Sequence, residues 1–185
     1  MNELELIVTP RLELRPLTLA AVTALIDSRP RAEIEKLLGA ELPWAWPSRA
    51  LIDQAFPVSL EAIANAPEQR LWGDRLITTR EAAPKIIGYV LFHGRPGEDG
   101  VAEIAYGIED GSQGHGYALE AVSACIDWAL AQPGCSVVRA STTVWHKGSK
   151  RLLEKVGMRV IATRHEEGAE MLTYEIARGE RPGTP

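Results

Sequence analysis

The sequence predicts a single α/β domain of the α+β kind, a mixed and mostly antiparallel sheet of about seven strands flanked by helices, and three observations carry that prediction. Residues 70–79, 85–93 and 101–108 are runs rich in Ile, Leu, Val and Tyr, parted only by short turn-forming stretches. Such spacing makes an antiparallel meander. Residues 117–131 carry apolar side chains almost all round, as a buried helix does. A strand, a helix and a closing strand pair then follow over residues 136–176. With 185 residues, 45% of them apolar, the chain suits one domain with a sizeable core.

Taken in order, residues 4–8 and 12–14 alternate apolar and polar side chains and read as an edge strand broken by the turn pair Thr9-Pro10. Leu19, Val22, Leu25 and Ile26 recur at helical spacing behind Thr18, a residue suited to capping. A second helix spans residues 32–38 and stops at Gly39; further helices are expected over 48–55 and 59–65. Between the helix at 32–38 and the one at 48–55 runs an apolar loop stiffened by proline, which holds Trp44 and Trp46. After the three meander strands come a polar turn (109–112), a loop punctuated by Gly114 and Gly116, and the long helix from Tyr117, closed by Pro133-Gly134. Residues 136–144 read as strand, 147–156 as a helix stopped by Gly157, and 159–165 with 171–176 as the last strand pair. The expected domain is 1–177, with 178–185 a loose tail.

A net charge of -5 and a pI near 5.5 argue against nucleic acid or an anionic membrane as partner, since binders of either carry a basic face. Cys125 and Cys135 lack metal-ligand or redox spacing, so no metal is expected and the thiols read as reduced. Charges interrupt every apolar run near the start, which reads as neither a secretory signal nor a membrane span. A cytoplasmic location is the expectation.

The glycine loop has the most chemical content. Gly114 and Gly116 admit conformations closed to other residues, and the following helix begins with amide hydrogens that lack partners. Backed by the helix dipole, those amides suit a phosphate or diphosphate. Gln113-Gly114-His115-Gly116-Tyr117-Ala118 fits a Q/R-x-x-G-x-G/A acyl-CoA loop. Together with Thr9-Pro10-Arg11-Leu12-Glu13-Leu14-Arg15-Pro16 and the late stretch SKRLLEKVGM at 149–158, it makes the chain resemble the GNAT N-acetyltransferases. The resemblance is to the branch that acetylates the N-terminal amines of ribosomal proteins, and it covers nearly the whole chain.

That resemblance implies a sheet splayed where the strand at 101–108 parts from the strand at 136–144. In such a fold the pantetheine arm of acetyl-CoA enters the gap and pairs with backbone near Tyr106 to Ile108. The diphosphate rests on the amides of Gly114 to Ala118, so the side chains of Gln113 and His115 matter less than the loop's shape. The reaction implied is direct acetyl transfer to a primary amine in a ternary complex. Acceptors by resemblance are a protein N-terminus, a small amine such as a polyamine, or an aminoglycoside; a homodimer stays open. Gly107, small for its place, would leave room for a longer acyl group.

Individual residues keep two readings each. Glu103 interrupts an apolar strand, where a carboxylate is costly to bury unless it is paired or useful. It is either the general base, directly or through water, or a structural carboxylate. Ser149 stands where the resembled branch has a serine able to protonate the leaving thiolate; the alternative is a hydroxyl that satisfies a helix start. His146 occupies the place of the usual asparagine, whose amide by resemblance bonds the cofactor chain or the helix start. It can both donate and accept and so stand in for it, or it takes part in proton transfer, or it is a solvent-facing loop side chain. Leu153 occupies the place of the tyrosine that many relatives use as general acid. Trp44 and Trp46 either pack over the core or wall the acceptor pocket. Lys147, Lys150, Arg151 and Lys155 form a solvated face from which one or two side chains attract phosphate. A non-catalytic acyl-CoA-binding module of the same fold is the alternative function.

Overall fold

The computed structural model describes residues 6–44, 56–65, 71–166 and 168–180. Its strands are β1 (Ile7–Val8), β2 (Leu12–Pro16), β3 (Asp74–Thr79), β4 (Ile86–Phe92), β5 (Val101–Ile108), β6 (Val137–Thr143), β7 (Arg159–Glu166) and β8 (Ala169–Ala177). Its helices are α1 (Leu19–Ile26), α2 (Arg31–Leu38), α3 (Phe56–Asn65), α4 (Tyr117–Ala131) and α5 (Lys147–Lys155). The strands form one sheet in the order β1-β2-β3-β4-β5-β6-β8-β7, in which only the β5–β6 pair is parallel. The helix expected over 48–55 lies outside the described residues.

One strand more is present than the residue pattern suggested, and the turn explains it. Thr9 donates its amide to the Leu12 carbonyl (2.9 Å), so the break at Thr9-Pro10 folds the segment into a hairpin, β1 against β2. Two other ends differ: the strand expected from 70 begins at Asp74 after a short turn at 71–73, and the helix expected from 59 begins at Phe56. The Thr18 hydroxyl accepts the Ala21 amide and caps α1, while Gly39 closes α2 in the left-handed region (φ 68°).

The two faces of the sheet are covered separately. Helix α4 buries Ala121, Val122, Cys125, Ile126, Ala129 and Leu130 against Leu12, Ile77, Val90, Phe92, Ile104 and Val138; Leu153 of α5 joins the same cluster. Each large side chain so buried contributes about 1.5 to 3 kcal/mol. Helices α1 and α2 pack on the other face over Leu76 and Ile86. Arg75 of β3 is fully buried under α4, its guanidinium 4.4 Å from the Trp128 ring and donating to the Leu71 carbonyl. Past β8 the chain stays tied: Arg178 donates to the carbonyls of Gln132 (2.8 Å) and Cys135 (2.6 Å).

Strands β5 and β6 pair through three registered positions, ending at Glu103 opposite Arg139. Beyond that point β5 runs on to Ile108 and β6 to Thr143 without pairing to each other. The sheet therefore opens into a wedge at this end. Its mouth lies between the start of α4 and α5.

Candidate active site

A cleft of about 470 Å³ occupies the wedge. Tyr106, Gly107 and Ile108 of β5 form one wall, Gln113, Gly114 and Gly116 the loop, Tyr117 to Leu119 the helix start, and His146, Ser149, Arg151 and Lys155 the far side. The loop is shaped by two left-handed glycines, Gly114 and Gly116, both at φ 80°. Gly116 caps α4 with no side-chain hydrogen bond, so the helix presents its first amides uncovered. The Gln113 side chain turns back and donates to the Ile108 carbonyl (3.1 Å) and to Asp110 (3.0 Å), fastening the loop to the end of β5. His115 does not line the cleft; its ring stacks on Tyr117 at 5.8 Å.

Arg11 anchors the loop from outside, a role its sequence position did not disclose. Its Nε donates to Glu120 (2.7 Å), its backbone amide to the other oxygen of that carboxylate (2.9 Å), and its Nη1 to the His115 carbonyl (3.0 Å). The guanidinium also lies 4.6 Å from the Tyr117 ring centroid. Thr9 completes the cluster by donating to Glu120 (2.6 Å). Partial burial works against the Glu120 charge, but the bonds from Thr9 and Arg11 outweigh it and hold the carboxyl below its ordinary range. A carboxylate in the first turn of α4 would repel a bound anion; Arg11 neutralises it. Because the side chains are partly exposed, the clamp is worth about 1 kcal/mol. Arg11→Ala is expected to raise KM for acetyl-CoA about fivefold with kcat unchanged, and Arg11→Lys to recover part of the loss. Steady-state kinetics on both variants check this.

At the far side, His146 caps the start of α5. Its Nδ1 accepts the Ser149 amide (3.2 Å) at the start of α5. Trp145, 70% exposed, stacks on the His146 ring at 5.8 Å and 11°. Ser149 is thus not the cap, and its hydroxyl is left for another partner. That partner is the Tyr106 hydroxyl, 2.8 Å away across the wedge. Leu153 is fully buried in the core, so no acid can act from its position. Of the cationic residues on α5, Arg151 and Lys155 line the cleft, whereas Lys150 donates to the Val144 carbonyl (3.3 Å).

The remaining candidates fall elsewhere. Glu103 is exposed, not desolvated, because strand alternation sends Ala102 and Ile104 into the core and turns Glu103 to the opposite face. It stands at the fork where β5 leaves β6, and it does not line the cleft. Trp44 is 97% exposed and packs on nothing in the core, and Trp46 lies outside the described residues. The room expected over Gly107 is already filled: a side-chain carbon there would meet the Tyr89 ring at 2.8 Å.

Both thiols are buried. Burial pushes the Cys125 thiol up to about 12, against the opposing charge of Arg75, and burial likewise raises Cys135. Neither supplies a thiolate nucleophile at neutral pH. Among the described residues no group of His, Cys, Asp and Glu could hold a metal ion, and no helix is long and apolar enough to cross a membrane.

Known proteins place this geometry. Residues 11–159 match the family model described as the acetyltransferase (GNAT) domain. The chain is 28% identical over 152 residues to an uncharacterized N-acetyltransferase, YjdG, of Bacillus subtilis, covering 82% of this chain and 88% of that protein. Among solved structures it resembles a ribosomal-protein-S5-alanine acetyltransferase from Vibrio fischeri, with a TM-score of 0.68, 15% identity, and coverage of 96% of this chain and 99% of that one. It also resembles RimL, a ribosomal L7/L12 alpha-N-protein acetyltransferase solved in complex with coenzyme A, with a TM-score of 0.65, 15% identity, and coverage of 94% and 98%. The match over most of its length, on a sheet splayed around a glycine loop, makes this chain a member of the GNAT family and an acetyltransferase.

Proposed function

We propose that this chain moves an acetyl group from acetyl-CoA directly to a primary amine in a ternary complex. The observation that carries the reading is the meeting, in one cleft, of the 113–118 loop, the unpaired end of β5 and the start of α5. Backbone amides of Gly114 to Ala118 would hold the diphosphate, with Arg151 and Lys155 adding positive charge. Past Glu103 the edge of β5 no longer pairs with β6, which leaves backbone at Tyr106 for the amides of the pantetheine arm, while the Ile108 carbonyl already accepts from Gln113. Acetyl-CoA supplies an activated thioester. The chain's own contribution is to orient it, exclude water from it and handle two protons.

Direct transfer is favoured because the two thiols are buried and protonated, so a covalent acyl-cysteine step has no nucleophile. Glu103, exposed at the fork, draws in a cationic amine and passes its proton to solvent through a water. Glu103→Gln is expected to lower kcat/KM for the amine about tenfold without changing KM for acetyl-CoA. Wild-type turnover by the Gln variant at every pH would remove Glu103 from the mechanism.

For the acceptor we favour a protein N-terminal α-amine, on the strength of the fold shared with the ribosomal-protein acetyltransferases. A polyamine or aminoglycoside is the competing class, and Trp44 with Trp46 remains the proposed acceptor wall. Release of free thiol from acetyl-CoA, followed against peptides with Ser, Ala or Met first and against polyamines and aminoglycosides, separates the classes. The second reading, an acyl-CoA-binding module without turnover, draws on the burial of Leu153 where a tyrosine acid would stand. Tight acetyl-CoA binding with no thiol release against any amine would favour it.

A further inference from the structure

The α5 helix has lost its acid position to the core, yet a phenol is still present in the cleft, delivered from the neighbouring strand. Tyr106 of β5 and Ser149 of α5 share a hydrogen bond of 2.8 Å between their hydroxyls, and both residues line the cleft. The phenol also lies 3.5 Å from the Ser149 carbonyl. His146 takes the Ser149 amide, which fixes the backbone so that the serine hydroxyl faces both Tyr106 and the open space.

We infer that Tyr106 is the positioning residue and proton source behind Ser149: as the thioester C–S bond breaks, Ser149 gives its proton to the departing sulfur and Tyr106 replaces it. This rests on the transfer reading above. The balance closes simply. The sulfur keeps the bonding electron pair and gains the serine proton, the serine oxygen gains the phenol proton, and the tyrosinate is reprotonated from solvent by the proton that the amine gives up.

The chemistry requires such a source. An aliphatic hydroxyl is about as weak an acid as water, whereas a free thiol has a pKa of about 8.5 and a phenol about 10. Serine alone would donate steeply uphill; with the phenol behind it the net transfer is much less uphill, even though burial holds this phenol above its ordinary range. Burial raises the Tyr106 pKa, the bond to Ser149 opposes that, and neighbouring Tyr174 adds to it, so the phenol holds its proton until it is needed. The ionisable groups around it are Tyr174 of β8, which donates to Glu154 of α5 (3.5 Å), and His146, Arg151 and Lys155 across the cleft.

The test compares wild type, Tyr106→Phe, Ser149→Ala and the double variant by two readouts. The first is turnover of acetyl-CoA with its best amine. The second, which needs no acceptor, is the pH at which the thiol of bound CoA ionises, followed by thiolate absorbance. Each single variant is expected to lose about a hundredfold in kcat, with CoA affinity held within about twofold, and the double variant to lose no more than either. The bound thiol should ionise at a lower pH in wild type than in either variant, because a donor to the sulfur favours the thiolate. Unchanged kcat and unchanged thiol titration in Tyr106→Phe would overturn the inference, as would losses that multiply in the double variant. If wild type binds CoA but acetylates no amine, the transfer reading fails on its own. The titration then still decides: a shift in Tyr106→Phe upholds the coupling to the sulfur, and its absence refutes it.

Discussion

Gly116→Val is expected to raise the dissociation constant for acetyl-CoA about ten- to thirtyfold. Gly116 sits at φ 80° and ψ 4°, directly before α4. The left-handed region costs a residue with a side chain about 1 to 2 kcal/mol, and a β-branched one more. The chain can avoid that cost only by rotating the loop, which turns the first amides of α4 away from the cleft, and 1.4 kcal/mol is a factor of ten in affinity. Arg11 Nη2 also lies 3.6 Å from where the new carbon would stand, so the clamp on His115 shifts as well. Gly116→Asn is the informative partner, because asparagine tolerates this region better. It should lose much less affinity. Equal losses for Val and Asn would mean that the backbone conformation is not what binds.

Gly88→Ala is the second large effect, and it acts through the sheet. A side-chain carbon at Gly88 would stand 2.2 Å from the Gly107 carbonyl oxygen and 3.0 Å from Ile108 Cδ1. The first of these is backbone and cannot swing aside. β4 must part from β5 where Gly88 pairs with Ile108 and Tyr89 with Gly107. Overpacking of this kind costs about 2 to 3 kcal/mol, or roughly 5 to 10 °C in Tm for a chain of this size. The displaced residues are also the cleft wall, so acetyl-CoA affinity should fall with stability. Gly107→Ala meets the Tyr89 ring at 2.8 Å, a side chain that can turn, and should cost less than half as much. Thermal unfolding of the two variants, read beside calorimetric affinities, checks the order.

How much of this was legible in the sequence depends on the distance over which each feature is encoded. Helix α4 and the loop before it were legible to the residue, since Gly116, the apolar periodicity and Pro133-Gly134 act within one segment. The same holds for Thr18 over α1 and Gly39 after α2. The hairpin of β1 and β2 was hidden because a break at Thr9-Pro10 looks alike whether the chain continues or reverses. Exposure of Glu103 follows from strand alternation and was readable in principle; the apolar neighbours drew attention to burial instead. Pairings between distant segments left no local trace. Arg11 meets Glu120 across 109 positions, and Tyr106 meets Ser149 across 43. His146 as helix cap had the weakest signal of all, since histidine is not among the favoured capping residues.

The most direct test of the central claim is calorimetric titration of the purified protein with acetyl-CoA, run in parallel on Gly116→Val. The account predicts saturable one-site binding by the wild type, weakened at least tenfold in the variant, followed by thiol release when the right amine is added. Binding of equal strength by both proteins, or none by the wild type, would mean that the loop from Gln113 to Ala118 is a turn between a strand and a helix and holds no cofactor.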